Sequence, residues 1–137
     1  MIKVYTDGGS RGNPGPAAIG IYIQDQNNGK TYELKEKIGF ATNNVAEYKA
    51  VIKALSFFAQ NKKILEGKDE INFFLDSLLI CSQMNGLYKV KDANLRNLLF
   101  EVREKEAEIK VKVKYSHIPR EQNKKADRLV NMAFDEK

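Results

Sequence analysis

The chain reads as an α/β protein in which helices pack on a mixed β-sheet. Three features of the sequence predict this. Alternating apolar and polar residues mark three early strands, a stretch of helical spacing follows, and strand and helix patterns then interchange to the end. The 137 residues suit one domain over 1–137, because a single core is usual up to roughly 200 residues.

Residues 2–7 set Ile2, Val4 and Thr6 against Lys3, Tyr5 and Asp7, and residues 17–23 set Ile19, Ile21 and Ile23 against Ala18, Gly20 and Tyr22. Both runs have the period of two that puts alternate side chains on opposite faces of a strand. Between them lies GGSRGNPGP, a turn by composition. Tyr32, Leu34, Glu36 and Ile38 alternate after the turn-prone QNNGK, so the three strands are expected to form an antiparallel meander. Glu47, Val51, Ala54, Leu55 and Phe58 recur at helical spacing, which makes 44–60 a helix that Thr42 or Asn43 can cap.

INFFLD at 71–76 is a short apolar run of the buried-strand type, and a second helix over 77–84 ends at Asn85-Gly86. A third helix is expected over 93–107. Val111, Val113 and Tyr115 then alternate with Lys110, Lys112 and Lys114, a strand over 109–118 with one lysine-lined face. The last helix, 121–134, follows Pro119. The resulting order is β-β-β-α-β-α-α-β-α.

Composition removes several classes. Hydrophobic content of 42% and charged content of 30%, with three prolines and nine glycines, exclude collagen-like, low-complexity and wholly disordered chains. No stretch approaches the roughly 18 apolar residues of a membrane span, and MIKVYTDGGS has no apolar run of a signal peptide. A cytoplasmic protein without a membrane partner, acting as a monomer, is the expectation. The single cysteine, Cys81, can form neither an internal disulfide nor a thiolate cluster and reads as a small buried residue. Lys and Arg number 23 against 18 Asp and Glu, a net charge of +5. Lys110, Lys112, Lys114, Arg120, Lys124, Lys125 and Arg128 concentrate that excess in one segment, which fits either a solvated face or a polyanionic partner.

Four acids stand where acids are disfavoured. Asp7 and Asp76 end otherwise apolar strands, although aspartate is depleted there. Glu47 shares the helical stripe of Val51, Ala54, Leu55 and Phe58, and Asp127 lies at the edge of the last helix's apolar face beside Val130 and Phe134. Carboxylates converging on inward faces raise one another's pKa, so such a cluster implies a cation. Ligation by oxygen alone points to Mg²⁺ or Mn²⁺. GGSRGNPG is neither a Walker loop nor a dinucleotide fingerprint.

The blocks YTDGGSRGNPGPAAIG, TNNVAEYKAVIKAL, FLDSLLICSQMNGLYKVK and HIPREQNKKADRLVNMA, in that order, resemble ribonuclease H of type 1 over nearly the whole chain. The resemblance implies a ribonuclease H-like five-stranded mixed sheet, with three antiparallel strands plus two parallel ones. It also implies an endonuclease that cuts the RNA strand of RNA/DNA hybrids, leaving 5′-phosphate and 3′-hydroxyl ends. Two Mg²⁺ ions, with Mn²⁺ as a substitute, would be held by Asp7, Glu47, Asp76 and Asp127. Gly8, Gly9, Ser10, Gly12, Asn13, Asn43 and Asn44 correspond to the family's substrate-binding residues, and double-stranded RNA is a second candidate substrate. Competing readings are a hybrid-binding module of weak activity and a protein-interaction domain. Retention of four mutually repulsive acids disfavours the first, and the basic stripe beside the acid cluster disfavours the second.

The chain also departs from the family pattern. Many members carry a basic protrusion where this sequence has only a short connection between Asn85 and Asp92, so grip is assigned to Lys89, Lys91, Lys124 and Lys125. Leu78 and Ser82 replace glutamines that touch substrate in bacterial relatives. The lone histidine, His117, falls by alternation on the face of Val111, Val113 and Tyr115 and reads as a packed strand residue. IPREQN resembles the subgroup in which an arginine takes the place of an assisting histidine, which makes Arg120 the catalytic candidate there.

Overall fold

The computed structural model describes residues 1–136. Strands β1 (Ile2–Ser10), β2 (Gly15–Asp25) and β3 (Thr31–Ala41) precede α1 (Asn43–Gln60). Then come β4 (Glu70–Leu75), α2 (Leu78–Met84), α3 (Ala93–Ile109), β5 (Lys112–His117) and α4 (Lys124–Asp135), with 3₁₀ turns at Lys62–Leu65 and Arg120–Gln122. The sheet order is β3-β2-β1-β4-β5. β1 to β3 pair antiparallel, while β4 runs parallel to β1 and β5 parallel to β4. The meander, the mixed sheet and the element order are therefore those expected from the sequence.

Burial explains the strand periods. Ile2 and Val4 of β1, and Ile71, Phe73 and Leu75 of β4, all point into one core. That core is closed by α1, which buries Ala46, Glu47, Tyr48, Val51, Leu55 and Phe58. Thr42 is its cap, its hydroxyl accepting from the Val45 N–H at 3.2 Å. On the opposite face α4 seals Ala18 with Val130 and Ala133, and Cys81 is buried. Among the described residues no helix is long and apolar enough to cross a membrane.

Three sequence expectations need correction. The last helix begins at Lys124 and not at 121, because Arg120–Gln122 forms a separate 3₁₀ turn. β5 starts at Lys112, since α3 runs on to Ile109 and Lys110 terminates it in the left-handed region at φ 57°. His117 is exposed: it is the last residue of an edge strand, where alternation no longer guarantees a covering layer.

Two glycines let the layers close on the sheet. A Cβ on Gly8 would lie 2.4 Å from the Ala46 carbonyl carbon, and one on Gly20 would lie 2.4 Å from the Ala126 carbonyl oxygen. Gly20→Ala is therefore expected to cost about 1–3 kcal/mol by overpacking α4 against β2, measured as a lowered urea midpoint. An unchanged midpoint would show that α4 is not tightly seated.

Candidate active site

Asp7 is the seventh residue of the chain and sits on the face of β1 that carries Tyr5, toward α4. Its cross-strand neighbour is Gly20. Asp76 follows the last residue of the parallel strand β4, immediately before Ser77 caps α2. Glu47 comes from the first half of α1. The three offer carboxylate oxygens that all lie within 4.8 Å of one another. Asp127, in the first turn of α4, is outside that group of three but lines the same cleft, as does Arg120.

The supports of this cluster are specific. The Gly8 N–H donates to Glu47 Oε1 at 3.3 Å, while Glu47 Oε2 is buried without a hydrogen-bond partner among the described residues. Asn123 is buried and its Nδ2 donates both to the Thr6 carbonyl and to Asp76 Oδ2, each at 2.9 Å. It stands where an N-cap of α4 would, yet makes no side-chain cap bond. Sequence reading missed it; the only signal was an asparagine directly ahead of the KKAD turn.

Burial sets the electrostatics. The Asp7 carboxyl is pushed up to about 7, first by desolvation and then by the charge of Asp76, with Asp127 adding to it. Glu47 is held well above the ordinary carboxylate range, again by burial first and by Asp7 and Asp76 next. A buried, unpartnered carboxylate oxygen beside two further acids suits a hard divalent cation ligated by oxygen. A cation there would reverse the direction of these shifts.

The cleft floor is built by the first turn. Asn43 Oδ1 accepts from the Ser10 N–H at 2.8 Å and from the Ser10 hydroxyl at 3.2 Å, and the Asn43 N–H donates to Asn13 Oδ1 at 2.9 Å. Gly8, Gly9, Ser10, Asn43 and Asn44 line the cleft of about 540 Å³. Gly12, at φ 93°, shapes the turn behind it. Ser77, Arg11 and Asn131 also line it and carried no sequence signal.

Other expected residues lie elsewhere. Lys124 and Lys125 line a separate hollow with Tyr5, Tyr22 and Gln24 and with Glu121 and Gln122 of the 120–122 turn. Lys89 and Lys91 border a third groove with Tyr88, Arg96 and Phe100. Ser82 is buried and Leu78 exposed. The basic segment is thus divided among several surfaces.

A family profile described as reverse transcriptase-like matches residues 5–133. Ribonuclease HI of Halobacterium salinarum is 38% identical over 135 residues, covering 98% of this chain and 65% of that protein. The LC11-RNase H1 structure, isolated from compost by a metagenomic approach, superposes with a TM-score of 0.90 at 45% identity, covering 98% of this chain and 96% of that one. The chain belongs to the ribonuclease HI family. The bifunctional protein Rv2228c of Mycobacterium tuberculosis is 37% identical over 98% of this chain but only 35% of its own length. The chain therefore spans about a third of the first curated relatives it matches. LC11-RNase H1 has also been solved with an RNA/DNA hybrid, at 42% identity, 98% and 97% coverage and a TM-score of 0.85.

Without a divalent cation, the raised Asp7 pKa makes the folded state bind more protons than the unfolded one between about 4 and about 7. In EDTA, stability should fall as pH rises through that window, and millimolar Mg²⁺ should restore it. Asp127→Asn should be at least as stable as wild type in EDTA at neutral pH and respond less to Mg²⁺. Thermal melts across pH decide both; a pH-independent apo protein would mean that the acids do not burden one another.

Proposed function

We propose that this chain is a metal-dependent endonuclease that hydrolyses the RNA strand of RNA/DNA hybrids. The observation that carries it is the convergence of Asp7, Glu47 and Asp76, with Asp127 at the rim of one open cleft. Family membership and the hybrid-bound LC11-RNase H1 structure support the substrate class.

Two Mg²⁺ ions held by these four residues would polarise the scissile phosphate, activate the attacking water and neutralise the leaving 3′ oxygen, so that 5′-phosphate and 3′-hydroxyl ends result. Mn²⁺ would serve as well. The chain's own residues supply the geometry. Gly8 and Asn123 fix the carboxylates of Glu47 and Asp76 by hydrogen bonds, which preorganises the ligands. Ser10, Asn13, Asn43 and Asn44 form a small, amide-rich wall suited to the shallow minor groove of a hybrid, where 2′-hydroxyls are displayed. Arg120 borders the cleft, which supports a role for its guanidinium there. Because arginine does not deprotonate in proteins, its task is to hold phosphate charge and not to carry a proton.

Grip on the second strand falls to the groove of Tyr88, Lys89, Lys91, Arg96 and Phe100. The seven-residue α2 is about 10 Å long, so this groove begins about one short helix from Asp76. It can substitute for the missing protrusion. Double-stranded RNA, which shares the 2′-hydroxyl pattern, is the second substrate to assay. The free buried thiol of Cys81 fits work as a monomer in a reducing cytoplasm.

Incubation with a labelled hybrid, with and without Mg²⁺, tests the reading. Asp7→Asn or Asp76→Asn should lower turnover by about a thousandfold with hybrid binding nearly intact. Retention of more than about a tenth of wild-type turnover, under 1.4 kcal/mol of barrier, would remove that acid from the ligand set. Lys89→Ala with Lys91→Ala should weaken binding and flatten its salt dependence. An unchanged salt slope would assign the grip elsewhere.

A further inference from the structure

The sheet face that bears α4 is covered only in part. Beyond the helix, three aromatic rings stand side by side on adjacent central strands: Tyr22 on β2, Tyr5 on β1 and Phe74 on β4. Their strand registers pair Tyr5 with Tyr22 and Tyr5 with Phe74. Tyr5 and Phe74 are stacked with centroids 5.1 Å apart, and Tyr5 and Tyr22 are 6.2 Å apart. Tyr5 and Phe74 are only half-buried among the described residues, while Tyr22 is buried. Charge lies over the rings. Lys3 Nζ lies 5.9 Å over Phe74, and Lys125 Nζ lies 4.4 Å over Tyr22.

We propose that this aromatic ladder is a binding site for single-stranded nucleic acid, separate from the catalytic cleft. Bases in a single strand expose their π-faces, and each can stack on a tyrosine or phenylalanine while lysines follow the backbone. The hollow of about 270 Å³ beside the ladder, walled by Tyr5, Tyr22, Gln122 and Lys125, has the scale of one base. Charge favours a polyanion. Lys114 is paired with Glu70 at 2.9 Å, but Lys3, Lys112, Lys124 and Lys125 make no ion pair among the described residues, and the nearest other acid in the hollow is Glu121. The long lysine stems can swing from ring to phosphate as a base arrives. A duplex is a poorer occupant, because its bases are already stacked on each other. A protein partner is disfavoured as well, since a stable interface needs about 800 Å² per partner, and two half-buried rings beside the buried Tyr22, framed by lysines, supply a small, cationic patch.

The inference does not rest on the catalytic reading, since the hollow and the acid-lined cleft share no lining residue. It is tested by fluorescence anisotropy in EDTA with labelled oligo(dT) and oligo(U) of about 12 nucleotides, within the usual site size of such folds. Wild type should bind one or both. Tyr5→Leu with Phe74→Leu should weaken that binding about tenfold or more, while hybrid cleavage in Mg²⁺ stays within about twofold of wild type. Lys3→Glu leaves the packed rings in place and should also weaken binding and reduce its salt dependence; it decides the matter alone if the double variant fails to fold. No binding by wild type, or unchanged affinity in the variants, overturns the proposal. Loss of cleavage in Asp7→Asn or Asp76→Asn with single-strand binding intact would support a site separate from the cleft, and loss of both together would overturn that separation.

Discussion

Everything at the candidate active site depends on how closely two helices approach the strand that carries Asp7. Gly8 faces α1 and Gly20, opposite Asp7 on the neighbouring strand, faces α4. With no side chain at either position the backbones meet directly. That approach delivers Glu47 from one side and Asp127 from the other. A strand with ordinary side chains at both points would hold the helices away and leave Asp7 alone.

The arrangement is stable only because the rest of the molecule offsets it. Buried carboxylates that raise one another's pKa oppose folding at neutral pH. Against them stands one continuous core of isoleucine, leucine, phenylalanine and valine from all five strands and α1 to α3. Asp76 follows the end of β4, and Asp7, though inside β1, lies beyond the Ile2–Tyr5 stretch that pairs with β4, so their repulsion does not interrupt the core. Asn123 and Gly8 bind the acids from the protein side and leave the buried Glu47 Oε2 without a hydrogen-bond partner among the described residues.

Much of this was legible in the sequence, and for definite reasons. Periodicity revealed the sheet and helices because most strands are half-buried and α1 has a clean stripe. The four acids stood out because each breaks a pattern, Asp7 and Asp76 at strand ends and Glu47 on the apolar stripe of α1. Other residues left no such mark. Asn123 resembles any helix-start asparagine, and its inward turn becomes visible only when β1 and β4 lie beside it. Lys124 and Lys125 looked like part of one basic face, but they open α4 beside Tyr5 and Tyr22 and line a hollow of their own. His117 followed the alternation of its strand and still ended in solvent, because alternation describes direction and not coverage.

The order β3-β2-β1-β4-β5 leaves each outer strand with one open flank. Such flanks are templates onto which other chains can zip, a route to fibrils or to strand-swapped pairs. Here the outer strands are β3, with Lys35, Glu36 and Lys37 in succession, and β5, with Lys112 and Lys114. A second copy laid along either flank would have to strip water from these charged side chains. The sheet's two edges are thus guarded by charge, and on β5 that charge is the lysine kind that elsewhere on the molecule welcomes a polyanion.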